Sequence, residues 1–200
     1  MTNQKQETWW VLRAQSGDRA ALDELLKTVQ EPLYRYISRL AGERAMAEDI
    51  LQEVFIHIYR KLRWLREPEL FRPWAYRIAS RESFKRLKRE RQCLAQIRDE
   101  AVLERIPSPH PEEEFAPELI EHLPQFIARV SPASRAVLIL HYSEEMSLGE
   151  IAGVLGIALG TVKSRLAYGL ESLRRAISEQ GGSGVRDDNR NLGGKLTGGK

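Results

Sequence analysis

An all-α protein of two helical domains joined by a flexible linker is what the sequence predicts, on three observations. Strand-like alternation of apolar and polar residues is missing throughout, and apolar residues recur instead at helical spacing. An acidic, Pro-rich stretch then divides the chain in two. The expected boundaries are residues 1–92 for an N-terminal domain, 93–117 for the linker, 118–179 for a C-terminal helix-turn-helix domain, and 180–200 for a disordered Gly-rich tail.

Four helices are legible in the first half. The first runs roughly from Thr8 to Gln15 and ends at Ser16-Gly17, where glycine takes up the left-handed backbone that closes a helix. Asp18 supplies an N-cap for the second, which continues to about Leu40 before Ala41-Gly42. The third, roughly Arg44 to Trp64, is the clearest, because Ala47, Ile50, Leu51, Val54, Phe55, Ile58 and Leu62 form one inner stripe. Asp49, Glu53, Ile56 and Arg60 project from its opposite side, with Gln52 at the edge. The fourth follows the loop "REPELFRP", with Pro73 in the first turn, where its missing N–H costs no hydrogen bond.

Residues 76–91 carry seven Arg or Lys against two Glu, so the fourth helix concentrates positive charge that the net charge of +3 conceals. Arg77, Arg81, Lys85 and Lys88 follow Trp74 at offsets 3, 7, 11 and 14, which sets an aromatic ring at the head of a cationic stripe. Cations neutralise phosphates, and an exposed ring stacks on an unpaired base for about 1 to 3 kcal/mol. The same pattern equally describes a core-anchoring Trp74 beside a solvated charge run. Residues 99–121 reverse the sign, with eight Asp or Glu against Arg105, and Pro107, Pro109, Pro111 and Pro117 interrupt any helix there. This composition predicts a linker, able to fold back on the basic stripe.

In the second half, "SLGEIAGVLGIALGTVKSRL" (147–166) has the spacing of two helices crossing at a tight turn. Ile151 and Leu155 form an inner face, Ala152 admits the second helix, and Gly156 permits the turn. Val162, Leu166, Leu170 and Leu173 make the buried stripe of the second helix, which leaves Gly160, Ser164, Ala167 and Tyr168 facing outward between Lys163 and Arg165. Small residues flanked by cations suit a helix entering the major groove, Thr161 included at its start. After Gln180, seven of twenty residues are glycine and no apolar period survives, which predicts disorder.

Composition excludes several classes. No apolar run approaches the roughly 20 residues of a membrane span, and "MTNQKQETWW" lacks the pattern of a signal peptide, so a cytoplasmic protein without membrane insertion is expected. The single cysteine, Cys93, and four scattered histidines form no metal-binding spacing, and no catalytic constellation is visible. Neither a metal, a cofactor nor an enzymatic activity is expected.

Three segments, "AEDILQEVFIHIYRKL" (47–62), "FRPWAYRIASRESFKRLKR" (71–89) and "MSLGEIAGVLGIALGTVKSRLAYGLESLR" (146–174), resemble the sigma-70 family of bacterial RNA polymerase sigma factors. The similarity is to its small extracytoplasmic-function (ECF) group, which keeps only the second and fourth conserved domains, and covers roughly residues 8–178. It implies that Asp49, Gln52, Glu53 and Ile56 dock on the β′ clamp helices of core RNA polymerase, whose β subunit is also a partner. It further implies that Phe71, Trp74, Tyr76, Arg77, Arg81, Lys85 and Lys88 engage and melt the promoter −10 element. Thr161, Lys163, Ser164, Arg165 and Tyr168 would contact the −35 duplex. Promoter DNA and an anti-sigma factor complete the implied partners, with nucleoid association when polymerase is bound. Two positions depart from the pattern: Arg81 replaces an Asn that several relatives use on the flipped base, and Tyr168 replaces a frequent Arg, losing its bidentate guanine contact.

Two other classes fit parts of the chain. A ligand-sensing regulator would share the C-terminal motif, although a cationic stripe beside aromatics is ill suited to an apolar ligand pocket. A nucleic-acid enzyme could use Asp49 and Glu53, four residues apart on one helix, to hold a divalent ion.

Overall fold

The computed structural model describes residues 2–95 and 123–181, and these are helical with no strand. The N-terminal domain comprises α1 (Thr2–Gln15), α2 (Arg19–Ala41), α3 (Arg44–Lys61) and α4 (Phe71–Ala95), with short 3₁₀ turns at Leu62–Trp64 and Pro68–Leu70. The C-terminal domain comprises α5 (Leu123–Arg129), α6 (Pro132–Tyr142), α7 (Leu148–Leu155) and α8 (Leu159–Gly181). Most of the expected linker and nearly all of the expected tail lie outside the described residues.

Local chemistry accounts for the helix ends. The Asp18 carboxylate accepts from the Ala21 N–H at 3.1 Å and starts α2, while Gly42, at φ 80°, closes it with a bond to the Ser38 carbonyl. Pro32 sits inside α2 without ending it, which the sequence reading passed over. At the start of α7, Ser147 and Glu150 form a reciprocal capping box, with the Ser147 N–H donating to Glu150 Oε2 at 2.8 Å. The Ser147 hydroxyl, which donates to the same Oε2 at 2.7 Å, and then the Ser147 N–H hold the Glu150 carboxyl below its usual pKa.

The inner stripe predicted for α3 is largely as expected. Ala47, Ile50, Val54, Ile58 and Leu62 are buried, and Leu51 and Phe55 are partly buried. They pack on Leu25, Val29, Leu33, Tyr36, Ile37 and Leu40 of α2 and on Phe71, Ala75, Tyr76 and Ala79 of α4. Burying one such large apolar side chain contributes about 1.5 to 3 kcal/mol, so the shared core of α2, α3 and α4 is the main stabilising feature of the N-terminal domain. Helix α1 is attached by polar contacts as well. Buried Glu7 accepts a two-pronged bond from Arg72, and Gln15 Nε2 donates to the Leu62 and Leu65 carbonyls at 2.9 and 2.8 Å.

The two domains are packed together. Helix α7 lies on α4, and α6 lies on α2, so one apolar cluster runs from Leu40 and Ala79 through to Val137, Leu140, Ile151 and Val154. A second cluster, of Phe126, Val130, Leu138, Leu173 and Ala176, holds α5 and α6 against α8. Arg135 joins the halves: buried, it donates from Nη1 to the Leu40 carbonyl at 3.0 Å and from Nη2 to the Val130 and Ala128 carbonyls. Burial, and then the Arg91 charge, lower its pKa, but a guanidinium stays ionised and the carbonyl dipoles replace its lost water.

Candidate polymerase and promoter interfaces

The outer face of α3 emerges from the burial of its opposite side. Asp49, Gln52 and Glu53 are exposed and Ile56 is half-buried, giving a short apolar centre among polar groups. Beside it, a cleft of about 180 Å³ runs between Asp49 and Glu53 on one wall and Glu82, Lys85, Arg86 and Arg89 of α4 on the other. Arg86 approaches Asp49 at 3.7 Å, so this acidic pair faces the cations Lys85, Arg86 and Arg89 together with the Glu82 carboxylate. Among the described residues no group of three His, Cys, Asp or Glu side chains converges to hold a metal ion.

Along α4 the structure separates residues that the sequence reading had put together. Arg77, Arg81, Lys85 and Lys88 are exposed along the helix, as the offsets require, and Lys85 also pairs with Glu82 at 3.1 Å. Trp74 is half-buried, tilted against Phe71 with ring centroids 6.1 Å apart. It borders a cleft of about 350 Å³ shared with Leu65, Leu70 and Pro73. Phe71 is 1% exposed and Tyr76 2%, so in this arrangement neither ring is presented to solvent. Tyr76 lies two residues from Trp74, which on a helix is the other side. Its ring meets Tyr36 edge-on at 5.4 Å, Tyr36 Oη and Ser80 Oγ are 2.8 Å apart, and the Tyr76 hydroxyl donates to Glu144. Burial foremost raises both phenol pKa values.

In the C-terminal domain, α7 and α8 meet at 104°, within the range of a helix-turn-helix. Gly156 occupies the turn at φ 67°, Ile151, Val154 and Val162 are buried, and Leu155, Leu166 and Leu170 are partly so. Lys163 and Ser164 are exposed at the start of α8, while Thr161, Arg165 and Tyr168 are half-buried. Ser164 Oγ donates to the Gly160 carbonyl at 2.9 Å, which occupies its proton and leaves its lone pairs outward.

Sequence reasoning missed four features of these surfaces. Arg135, Glu144 and the Gly153 carbonyl join the domains, and their partners lie 95, 68 and 76 positions away in the chain, beyond any local pattern. Gly169 is the fourth: a Cβ there would come within 2.8 Å of Leu138 Cδ1, so glycine allows α8 to approach α6. A glycine inside an otherwise regular helical pattern was its one visible signal.

Two family models match the chain, Sigma-70 region 2 over residues 25–93 and Sigma-70, region 4 over residues 126–175. The ECF RNA polymerase sigma factor SigL of Mycobacterium tuberculosis is 31% identical over 182 residues, covering 83% of this chain and 96% of that protein. The chain belongs to the ECF group of sigma-70 factors. Two more members frame the likeness. SigE of Mycolicibacterium smegmatis is 34% identical over 177 residues (82% of this chain, 65% of SigE), and SigW of Bacillus subtilis is 28% identical over 185 (84% and 95%). Among solved structures, the sigma factor RpoE in complex with the anti-sigma factor NepR from Bartonella quintana has a TM-score of 0.61 at 22% identity, covering 78% of this chain and 96% of that one. CnrH in complex with the cytosolic domain of CnrY has 0.63 at 19%, covering 87% and 98%. At such identity these two establish the shared fold. This sigma factor accordingly binds core RNA polymerase and directs promoter-specific initiation, and among its described residues no single helix is long and apolar enough to cross a membrane.

Proposed function

We propose that the division of labour among three faces is as follows. Asp49, Gln52, Glu53 and Ile56 on α3 dock on the β′ clamp helices, Lys163, Ser164 and Arg165 with Thr161 and Tyr168 on α8 contact the −35 duplex, and Trp74 with Arg77, Arg81, Lys85 and Lys88 on α4 takes the unpaired −10 strand. The observation that carries this reading is that an acidic outer face, a cationic helix with a half-exposed ring, and a helix-turn-helix lie on different elements of one chain. Its chemistry is recruitment and strand capture: energy from holding unstacked bases offsets the cost of melting, and no bond in the DNA is made or broken by this chain. The relatives solved with bound regulators support an anti-sigma factor as the controlling partner, with action in the cytoplasm and on the nucleoid when polymerase is bound. Run-off transcription on a promoter library tests the reading. Promoter-selective transcripts are expected only when both core polymerase and this protein are present, and transcripts insensitive to the protein would overturn it.

A further inference from the structure

We infer that Leu159 is a specificity-determining residue of the −35 contact: from the first turn of α8 it packs on the C5-methyl group of a thymine in the major groove. The inference rests on the assignment of the outer face of α8 to the −35 duplex, and adds to that face an apolar side chain beside its charged and polar ones.

Leu159 is 45% exposed and, among the described residues, joins neither apolar cluster of the protein, whereas Val162, Leu166 and Leu173 of the same helix are drawn inward. One exposed leucine is ordinary on a protein surface, so its exposure alone decides nothing. Its position does. Helix α8 begins at this residue, and in a helix-turn-helix the N-terminal residues of the second helix are the ones that reach base edges. Lys163, one turn further on the same flank, is exposed, as are Gly160 and Ser164 beside them. A Cβ at Gly160 would have nothing within 4 Å, so the space next to Leu159 is open for a groove to enter.

The bases fix what an apolar side chain can find there. Major-groove edges carry acceptors on guanine, a donor on cytosine, both on adenine, and an acceptor with a methyl group on thymine, so the thymine methyl is the apolar feature of the groove. Ser164 narrows the choice in the same direction. Its hydroxyl proton is committed to the Gly160 carbonyl at 2.9 Å, so toward DNA it accepts only. An outward acceptor is repelled by the acceptors of a guanine edge and suits the amino group of adenine or cytosine. Leu159 and Ser164 are five positions apart, about 7.5 Å along the helix axis, which is about two base-pair steps, so they read neighbouring pairs rather than the same one. Burying one methyl group is worth about fourfold in affinity, because about 0.8 kcal/mol is a little over half of the roughly 1.4 kcal/mol that makes a factor of ten.

The test uses the full chain bound to core polymerase. Selection from a promoter library randomised in the −35 region yields the preferred element, and each thymine of that element, on either strand, is then replaced singly by deoxyuridine, which keeps the O4 acceptor and loses only the methyl. At one thymine the unaltered protein should bind the deoxyuridine duplex about fourfold more weakly. Leu159→Ala should bind the two duplexes alike, at the weaker level, and Leu159→Met, which keeps an apolar chain, should restore the difference. A helix that was merely destabilised would weaken both duplexes together and leave their ratio unchanged. Equal discrimination by the unaltered protein and Leu159→Ala at every thymine, or a selected element without thymine, overturns the contact. Lys163→Ala with Ser164→Ala separates this from the assignment beneath it. If that double variant weakens binding to the selected element while the deoxyuridine duplexes show no difference, the Leu159 contact alone falls; if neither it nor Leu159→Ala alters binding or the selected sequence, the assignment of α8 to the −35 duplex falls as well.

Discussion

Tyr36 and Tyr76 illustrate how a single buried group couples stability to pH. Both phenols titrate above the ordinary value of 10.0 in the folded protein, so the folded state holds protons that the unfolded chain releases. Their contribution is complete below pH 10.0 and is lost as pH rises toward the folded values. Urea-unfolding midpoints should therefore fall as pH rises above about 10, and less steeply in Tyr36→Phe. An equal slope in both proteins would show that the phenol is not responsible. The capping box gives a second residue-scale expectation: Ser147→Ala should cost about 1 kcal/mol in the same unfolding measurement, with the loss confined to the C-terminal domain in hydrogen exchange. Ser147 and Glu150 stand three residues apart in "SLGE", a local signal that the reading of this stretch passed over, whereas Glu144 has its partner on another domain and offers no local signal.

Helix faces carry the next set of expectations. On α3, Asp49→Lys with Glu53→Lys should weaken core binding by at least about tenfold, or about 1.4 kcal/mol, with stability changed by less than about 0.5 kcal/mol because both side chains are exposed. Titration against core polymerase showing unchanged affinity would remove this face from the interface. Where α8 crosses α6, Gly169→Val should cost about 1 to 3 kcal/mol by overpacking against Leu138. Adding Leu138→Ala should recover part of that loss, and strict additivity of the two changes in thermal melts would argue against the contact. The α3 face could be read because 3.6-residue periodicity sorts one helix into inside and outside without reference to its neighbours. The α4 face could not be read completely: Tyr76 lies among the cations in sequence, and only the position of α2 and of Glu144 makes its side the buried one.

For the whole molecule the decisive side chain is Arg135, which satisfies carbonyls on both domains from a buried position. Arg135→Met keeps the apolar stem but strands those carbonyls, so a stability loss of roughly 3 kcal/mol and a larger radius of gyration in solution scattering are expected. An unchanged radius would mean that the apolar cluster alone keeps the domains together.

Helix content, helix ends, the acidic face of α3, the cationic run of α4 and the helix-turn-helix are all properties of short stretches of chain. Caps act over three residues and amphipathic faces over a few turns, so Asp18, Ser147, Gly156 and the stripe from Ala47 to Leu62 carried their meaning in the sequence. The burial of Phe71 and Tyr76, the glycine contact at α6 and α8, and the joining of the two domains depended on residues far apart in the chain. Expecting separately moving domains followed from the charge and prolines between them; their packing is decided by Arg135, Arg77 and the apolar surfaces of α4 and α7, whose complementarity exists only once each helix has been placed.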